Sequence, residues 1–395
     1  MTPAPLAFEE AERIVLAAVP RLEAEEVDLD QSLGRVLAYD VRSDVDMPPF
    51  DKAAMDGFAC RLTDAEGEVE VVAEIPTGTW PGKRIADGQC ARIMTGAPLP
   101  AGAETVVMME QSEACGQGRV HLRGGGAAAN ICWRGEDVQI GQVVLGAGRA
   151  IGPAQIAVLA AVGCVRPKVA RRPRVGVIVT GSELVEPYRR PGPAQIRNSN
   201  GQQLCAQVQR TGACAHDYGI VPDHEQLIEE MAARALADSD LVIFSGGVSV
   251  GAYDFVPQVL LRIGVEVLFH GVNMQPGKPT LFGRRGQTLC CGLPGNPVAT
   301  LVVFELLLRP LLLRMMGAAI EPRLVPAVLA TDFARKKSER QATVPVRFDA
   351  HGAVAPIEYH GAAHISAISQ ADALLVVPAG TKDLAAGSKV HVRPL

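Results

Sequence analysis

The run FEEAERIVL (Phe8–Leu16) mixes apolar and charged positions at helical spacing and predicts one amphipathic helix. Ser32 to Ala38 reads as a turn that enters an extended stretch. From Asp64 to Gly148 the texture changes. Val69–Ile75, Ala103–Met109, Val120–Leu122 and Gln142–Leu145 are short β-prone runs separated by Gly and Pro, an all-β pattern. Gly124 to Asn130 reads as a flexible turn without a repeat. Pro153–Val162 predicts a helix, with Pro in its first turn and Gly163 just beyond its end.

A different pattern begins at Arg171-Arg172-Pro173. Apolar runs at Val175–Val179, Leu241–Phe244, Val265–Phe269 and Thr288–Cys291 predict buried strands. They alternate with helical stretches at Asn200–Arg210, Leu227–Ala237, Val256–Arg262 and Pro297–Met316. Strand, helix, strand, helix over residues 173–317 argues for an α/β layered domain with a mainly parallel sheet. After Gly317 the pattern reverts to strands, at Arg323–Ala330, Thr343–Phe348, Leu374–Val377 and Lys389–Val392. The chain therefore reads as multidomain α/β plus β: a β-rich front part, an α/β middle and a C-terminal β-barrel-like domain.

Length and composition agree. A chain of 395 residues calls for two or three ordinary domains, and 48% hydrophobic against 21% charged residues is enough to build cores. Gly (40) and Pro (28) exceed average usage without a Gly-X-Y period, so the surplus belongs to turns and tight backbone passages. The net charge of -5 and the 4% aromatic share exclude a basic, aromatic-interleaved nucleic-acid surface. Val298 to Met316 is interrupted by Glu305, Arg309, Pro310 and Arg314, so no membrane span is expected. The N-terminal stretch turns acidic at once and is not read as a signal peptide. Nine cysteines without a CxxC pair or zinc spacing predict reduced, mostly buried thiols in a cytoplasmic protein.

In an open α/β sheet, ligands bind beyond the carboxyl ends of the strands. Three loops fall there: Thr180-Gly181-Ser182-Glu183, Ser245 to Gly251 followed by Asp254, and Gly292 to Pro297. Each combines glycine with hydroxyls or a helix N-terminus, which lets backbone N–H groups approach an anion. One such loop alone reads as a tight turn; three in one domain point to a nucleotide or phosphate ligand. Neither a Walker A motif nor G-x-G-x-x-G is present. Glu183, Asp223 and Asp254 are candidates to hold Mg²⁺ between phosphates, with capping or solvation as the alternative. His270, just before the Pro276-Gly277-Lys278-Pro279 turn, is the histidine to test, and Lys278 in that turn is a candidate anion contact, with a solvated lysine as the alternative. The stretches Pro48–Phe58 and Arg92–Pro100 carry acid, Lys, hydroxyl and glycine but no mechanism of their own.

The motifs FDKAAMDGFA (Phe50–Ala59), RIMTGAPLP (Arg92–Pro100), GEDV (Gly135–Val138), TGSEL (Thr180–Leu184), IRNSN (Ile196–Asn200), SGGVSVGAYDFV (Ser245–Val256), QPGKP (Gln275–Pro279) and CGLPGNPVA (Cys291–Ala299) occur in this order. The chain thereby resembles the molybdopterin molybdenumtransferases, the MoeA and gephyrin E-domain family, over nearly its whole length. The resemblance implies four domains. These are a discontinuous, elongated N-terminal part (1–49 and 139–172), an inserted β domain (50–138), an α/β molybdopterin-binding domain (173–320) and a C-terminal β domain (321–395). It implies a homodimer whose active site is shared between subunits, so that Asp56 and Thr95 complete a neighbour's site. The implied reaction takes adenylylated molybdopterin and molybdate with Mg²⁺, hydrolyses the adenylate, inserts molybdenum and releases AMP.

The same resemblance implies roles for particular residues. Glu183, Asp223 and Asp254 would meet Mg²⁺ or substrate phosphate, with Glu183 and Asp254 joining Asp56 and Thr95 in catalysis. Ser245, Gly246 and Gly247 would cradle the terminal phosphate or the oxyanion, and Ser249 would bind substrate. His270, Lys278, Pro294, Asn296, Pro297 and Ser366 would bind substrate. Some family members carry lysine at the positions of His270 and Gln275, and Asp is common where Ser182 stands. A molybdopterin adenylyltransferase would act upstream, and apo-molybdoenzymes or their chaperones downstream. The alternatives are a non-catalytic cofactor carrier or scaffold of the same fold, or an adenylyltransferase.

Overall fold

The structure, a computed structural model, describes residues 4–124, 129–249, 251, 253–319, 324–357 and 364–395. The chain divides into two compact units. The first contains the residues up to Tyr39, Ala147–Gly152 and Arg166–Leu395; the second contains Asp40–Gly146 and Pro153–Val165. The first helix, α1 (Phe8–Ala17), belongs to the first unit and buries Phe8, Ala11 and Val15. Glu9 and Glu10 occupy its first turn, where negative charge suits the helix dipole.

The second unit is built on a six-stranded sheet of β1 (Gly57–Cys60), β2 (Glu66–Ile75), β3 (Gln89–Ile93), β4 (Thr105–Met108), β5 (Ser112–Gly116) and β6 (Arg119–Arg123). The strand order is β4-β1-β3-β2-β6-β5. All neighbours are antiparallel except β2 and β3. Sequence reading missed β1, β3 and β5. The reason is clearest in β1: it is short, and Gly57 and Ala59 carry no β preference, so its buried residues do not read as an apolar strand. Gly57 is required there, because a Cβ would lie 2.0 Å from the Val107 carbonyl oxygen on β4. Cys60 and Cys90 face each other across β1 and β3, and burial pushes both thiols up to about 12. Helix α2 (Pro153–Ala161) ends where expected, with Gly163 at φ 70°. Of the turn expected over 124–130, residues 125–128 lie outside the described residues.

The first unit contains the α/β layers. Its strands are β7 (Arg174–Thr180), β8 (Cys214–Val221), β9 (Leu241–Ser245), β10 (Glu266–His270), β11 (Leu281–Arg285) and β12 (Thr288–Leu293). Its helices are α3 (Asn200–Arg210), α4 (Glu225–Asp238), α5 (Val256–Arg262), α6 (Pro297–Val303) and α7 (Arg309–Met315). The sheet order is β8-β7-β9-β12-β11-β10. The first four strands are parallel, and β11 and β10 add an antiparallel edge. Successive residues of the central strands feed opposite cores. Val177, Ile243 and Cys291 pack on one side with Leu204, Val302 and Leu311. Ile178, Phe244 and Cys290 pack on the other with Ile228, Ala232 and Val259. Strands β8 and β11 escaped the sequence reading: β8 is a half-exposed edge strand with polar residues, and β11 ends in two exposed arginines.

The single helix expected over Pro297–Met316 is instead α6, one π-helical turn (Phe304–Leu308) and α7. Pro310 supplies the reason: it has no N–H to give, and its ring crowds the preceding turn. Arg393 meets the disturbed ladder, its Nη1 donating to the Glu305 carbonyl at 2.6 Å and lying 3.4 Å from that of Leu306.

The C-terminal strands β13 (Val325–Val328), β14 (Gln341–Phe348), β15 (Ala373–Val377) and β16 (Lys389–Pro394) form a sheet in the order β14-β15-β16-β13. Met274-Gln275 pairs with β14 and so ties this sheet to the α/β part. Arg323, at the start of the strand expected over 323–330, lies outside the described residues. A four-residue helix, α8 (Ile365–Ile368), precedes β15. Among the described residues no helix is long and apolar enough to cross a membrane.

The expectation of mostly buried cysteines needs correction. All nine are free, but only Cys60, Cys90, Cys290 and Cys291 are buried, and Cys115 and Cys214 are exposed. The exposed pair lies on edge strands, which have a neighbouring strand on one side only.

Candidate active site

Strands β7, β9 and β12 are parallel neighbours, so the loops that follow them emerge at one edge of the sheet. They enclose a cavity of about 690 Å³ whose lining includes Thr180, Glu183, Asp223, Ser245, Asp254 and Asn296. Gly181, Gly246, Gly247 and Pro297 line it as well.

The loops are jammed together, and glycine makes this possible. Gly246 has φ 95°, and a Cβ on it would lie 2.4 Å from the Thr180 carbonyl oxygen. The Gly246 amide donates to the Leu293 carbonyl at 3.1 Å, joining the second loop to the end of β12. Asn200 bridges the same elements from the start of α3. Its Nδ2 donates to Ser245 Oγ at 2.9 Å and to the Gly295 carbonyl at 2.7 Å. Thr180 Oγ1 and Asn200 Oδ1 are buried here without a hydrogen-bond partner among the described residues.

Glu183 and Asp254 are held within their own loops, and Asp223 is held by the Thr180–Glu183 loop. Asp223 accepts from the Ser182 amide at 3.0 Å, while its own amide donates to Ser182 Oγ at 3.1 Å. Asp254 Oδ2 accepts from the Gly251 amide at 2.7 Å. Glu183 folds over Gly181, where any Cβ would meet its Oε2 at 2.7 Å. The three acids share one cavity, but no trio of His, Cys, Asp or Glu among the described residues forms a metal nest. The expected ligand set is therefore not a preformed three-carboxylate site. Each acid is held by its own contact: Glu183 and Asp254 within their loops, Asp223 through Ser182. This suits Mg²⁺, which takes one or two carboxylates and completes its shell with phosphate oxygens and water.

Lys278 and Pro294 belong to a second, smaller cavity of about 230 Å³, together with Gln275, Gly277 and Arg340. Asn296 lines both cavities, so they share a wall. No acidic side chain lines the smaller one among the described residues. His270 lines neither. Its Nε2 lies 2.8 Å from the Val248 carbonyl oxygen, an acceptor only, so this nitrogen carries the proton and anchors the glycine loop. Ser249 is exposed beyond that anchor, outside both linings. Ser366 on α8 is exposed too; its neighbour Ile365 lines the larger cavity.

Asp56 and Thr95 lie in the other unit and form a pair of their own. The Thr95 amide and hydroxyl both donate to Asp56 Oδ1, at 2.6 and 2.7 Å. These bonds, with Arg92 nearby, hold the Asp56 carboxyl below the usual carboxylate range. Thr77 Oγ1 in turn donates to the Thr95 carbonyl at 3.0 Å.

Among the lining residues without a role in the sequence reading are Arg197, Asn200, Tyr253 and Arg340. The first three stand inside quoted motifs, so a signal existed for them. Arg340 did not have one, because it comes from the start of the C-terminal sheet, about sixty residues from Lys278.

An open α/β sheet, with a three-loop anion cavity at its carboxyl edge and β structure on either side in sequence, defines a multidomain enzyme for an anionic ligand. Family models narrow this class. The MoeA N-terminal region (domain I and II) matches residues 6–163, a probable molybdopterin binding domain matches 176–314, and the MoeA C-terminal region (domain IV) matches 326–395. The molybdopterin molybdenumtransferase of Staphylococcus epidermidis is 35% identical over 98% of this chain and 95% of its own length. That of a Nostoc species is 36% identical over 100% and 94%. The molybdopterin biosynthesis MoeA protein of Pyrococcus horikoshii OT3 superimposes with a TM-score of 0.88 at 28% identity, over 99% of this chain and 100% of that one. The chain belongs to the molybdopterin molybdenumtransferase family.

Proposed function

We propose that the chain completes molybdenum cofactor biosynthesis, inserting molybdenum into adenylylated molybdopterin with Mg²⁺-dependent hydrolysis of the adenylate. The observation that carries this reading is the pair of cavities sharing Asn296. The larger one suits a nucleotide-bearing pterin, and the smaller, walled by Lys278 and Arg340, suits a compact tetrahedral oxyanion such as molybdate.

The chemistry is attack of water on a phosphoanhydride, where positioning and charge neutralisation supply most of the acceleration. The backbone of Ser245, Gly246 and Gly247 holds phosphate oxygens. Glu183, Asp223 and Asp254 would hold Mg²⁺ together with those oxygens, and the ion would neutralise charge that develops on the leaving phosphate. Glu183 and Asp254 also orient the attacking water. Lys278 and Arg340 hold molybdate, and Pro294 and Pro297 shape the passage beside Asn296 through which the dithiolene reaches it. His270 acts through Val248, Ser249 meets substrate from the loop's exposed end, and Ser366 approaches from α8.

The active form is a homodimer with a shared site, in which Asp56 and Thr95 serve the partner subunit. Their tight pairing at an exposed position, with a carboxylate kept ionised, supports a role in binding rather than in the core. The domain plan of 1–49 with 139–172, 50–138, 173–320 and 321–395 accompanies this reading; separate family models over 6–163, 176–314 and 326–395 support its last two divisions. The enzyme works in the cytoplasm, receives its substrate from a molybdopterin adenylyltransferase and delivers to apo-molybdoenzymes or their chaperones.

Reconstitution tests the proposal. Incubated with adenylylated molybdopterin, molybdate and Mg²⁺, the protein should produce cofactor that activates an apo-molybdoenzyme. Failure to activate it, with substrate present and the protein folded, rejects the proposal.

A further inference from the structure

Arg197 is the one cationic side chain among the described residues that line the larger cavity, against Glu183, Asp223 and Asp254. A diphosphate ligand adds negative charge to a wall that is already acidic, so each fixed cation there weighs heavily. The backbone of Arg197 is locked to the loop that carries Glu183. Ile196-Arg197 pairs in parallel with Leu184-Val185, the Ile196 amide donates to the Glu183 carbonyl, and the Asn198 amide donates to the Val185 carbonyl. Its side chain is oriented as well: Nε donates to the Arg189 carbonyl at 2.9 Å, across the proline-rich excursion 186–195. No carboxylate of the described residues pairs with it, and the two terminal nitrogens carry no protein partner among those residues. A guanidinium with a fixed plane and a free fork is a bidentate phosphate binder.

We propose that Arg197 grips the phosphoanhydride of the ligand, which makes the 184–197 excursion a specificity element for diphosphates over monophosphates. The assignment rests on the larger cavity being the substrate site.

Full-length Arg197→Gln and Arg197→Lys proteins test it in two arms. In the first, adenosine 5′-diphosphate and adenosine 5′-monophosphate are titrated calorimetrically with Mg²⁺ present. Arg197→Gln should bind the diphosphate at least about tenfold more weakly, because a charge-assisted hydrogen bond is lost. Arg197→Lys should fall between, and the monophosphate should change by less than about threefold. In the second arm, KM for adenylylated molybdopterin should rise in parallel while KM for molybdate stays constant. Unchanged diphosphate affinity in Arg197→Gln overturns the assignment, as does a wild-type protein that binds no diphosphate. A wild type that releases no AMP, yet loses diphosphate affinity on Arg197→Gln, sinks the proposed activity and leaves this site standing. Arg197 is exposed, so the thermal transition should not move and serves as the folding control.

Discussion

Thr95 gives both its amide and its hydroxyl to one oxygen of Asp56, at 2.6 and 2.7 Å. Two donors on one carboxylate oxygen favour the ionised form, so the group titrates below the ordinary carboxylate range. With a depressed folded-state pKa, stability from this contact is fully present above the unfolded value and is lost as pH falls through the folded one. Thr95→Val removes the hydroxyl and keeps the amide. The Asp56 carboxyl, followed by NMR, should then titrate at higher pH, and the acid limb of activity should move up with it. Activity near neutral pH should not respond to Asp56 ionisation in either protein. An Asp56 titration that stays in place contradicts the account.

Asn200 ties the second and third loops together from a buried position, through Ser245 and Gly295. Asn200→Ala leaves those partners unsatisfied, at a cost of about 2 kcal/mol. Thermal unfolding should shift down by about 4–8 °C. Diphosphate binding should weaken as the loops separate. A stable variant with native affinity would show that the bridge does not hold the cavity.

Gly246 is held against Thr180, with no room for a side chain. Gly246→Ala should displace the loop and lower activity at least about hundredfold, as misplaced catalytic groups do. Circular dichroism should report a retained fold. Near-native activity would mean that the loop's position is not critical.

Glu305 carries a buried carboxylate in the π-helical turn, met by Gln207 at 2.8 Å, Arg309 at 3.0 Å and Arg210 at 3.3 Å. Glu305→Ala strands these donors and should destabilise the α/β unit by about 3 kcal/mol. Glu305→Gln, which retains an acceptor, should lose less. The midpoint of urea unfolding measures both, and equal losses would contradict the bridging role.

The central strands β7, β9 and β12 were legible because burial on both faces writes each as an unbroken apolar run. The three loops could be placed for the same reason, since each follows such a run. Strands β1 and β8 were not legible: Gly57 and Ala59 carry no β preference, and β8 reads as polar. The break at Phe304–Leu308 was announced by Pro310, but its compensation by Arg393 depends on a strand about eighty residues later. Within the site, Glu183, Asp223, Asp254 and the glycines were legible from local sequence, and the structure brings them around one cavity. The anchoring of His270 to Val248 and the approach of Arg340 to Lys278 are tertiary facts that no local pattern encodes.

The most direct measurement is AMP release from adenylylated molybdopterin in the presence of Mg²⁺, with and without molybdate. The account predicts release that molybdate accelerates, and its loss in Asp254→Ala and in Asp56→Ala. Mixing those two variants should restore part of it, because each dimer that pairs one variant with the other assembles one intact site. Molybdate-independent release, or none from the wild-type protein, would contradict the account.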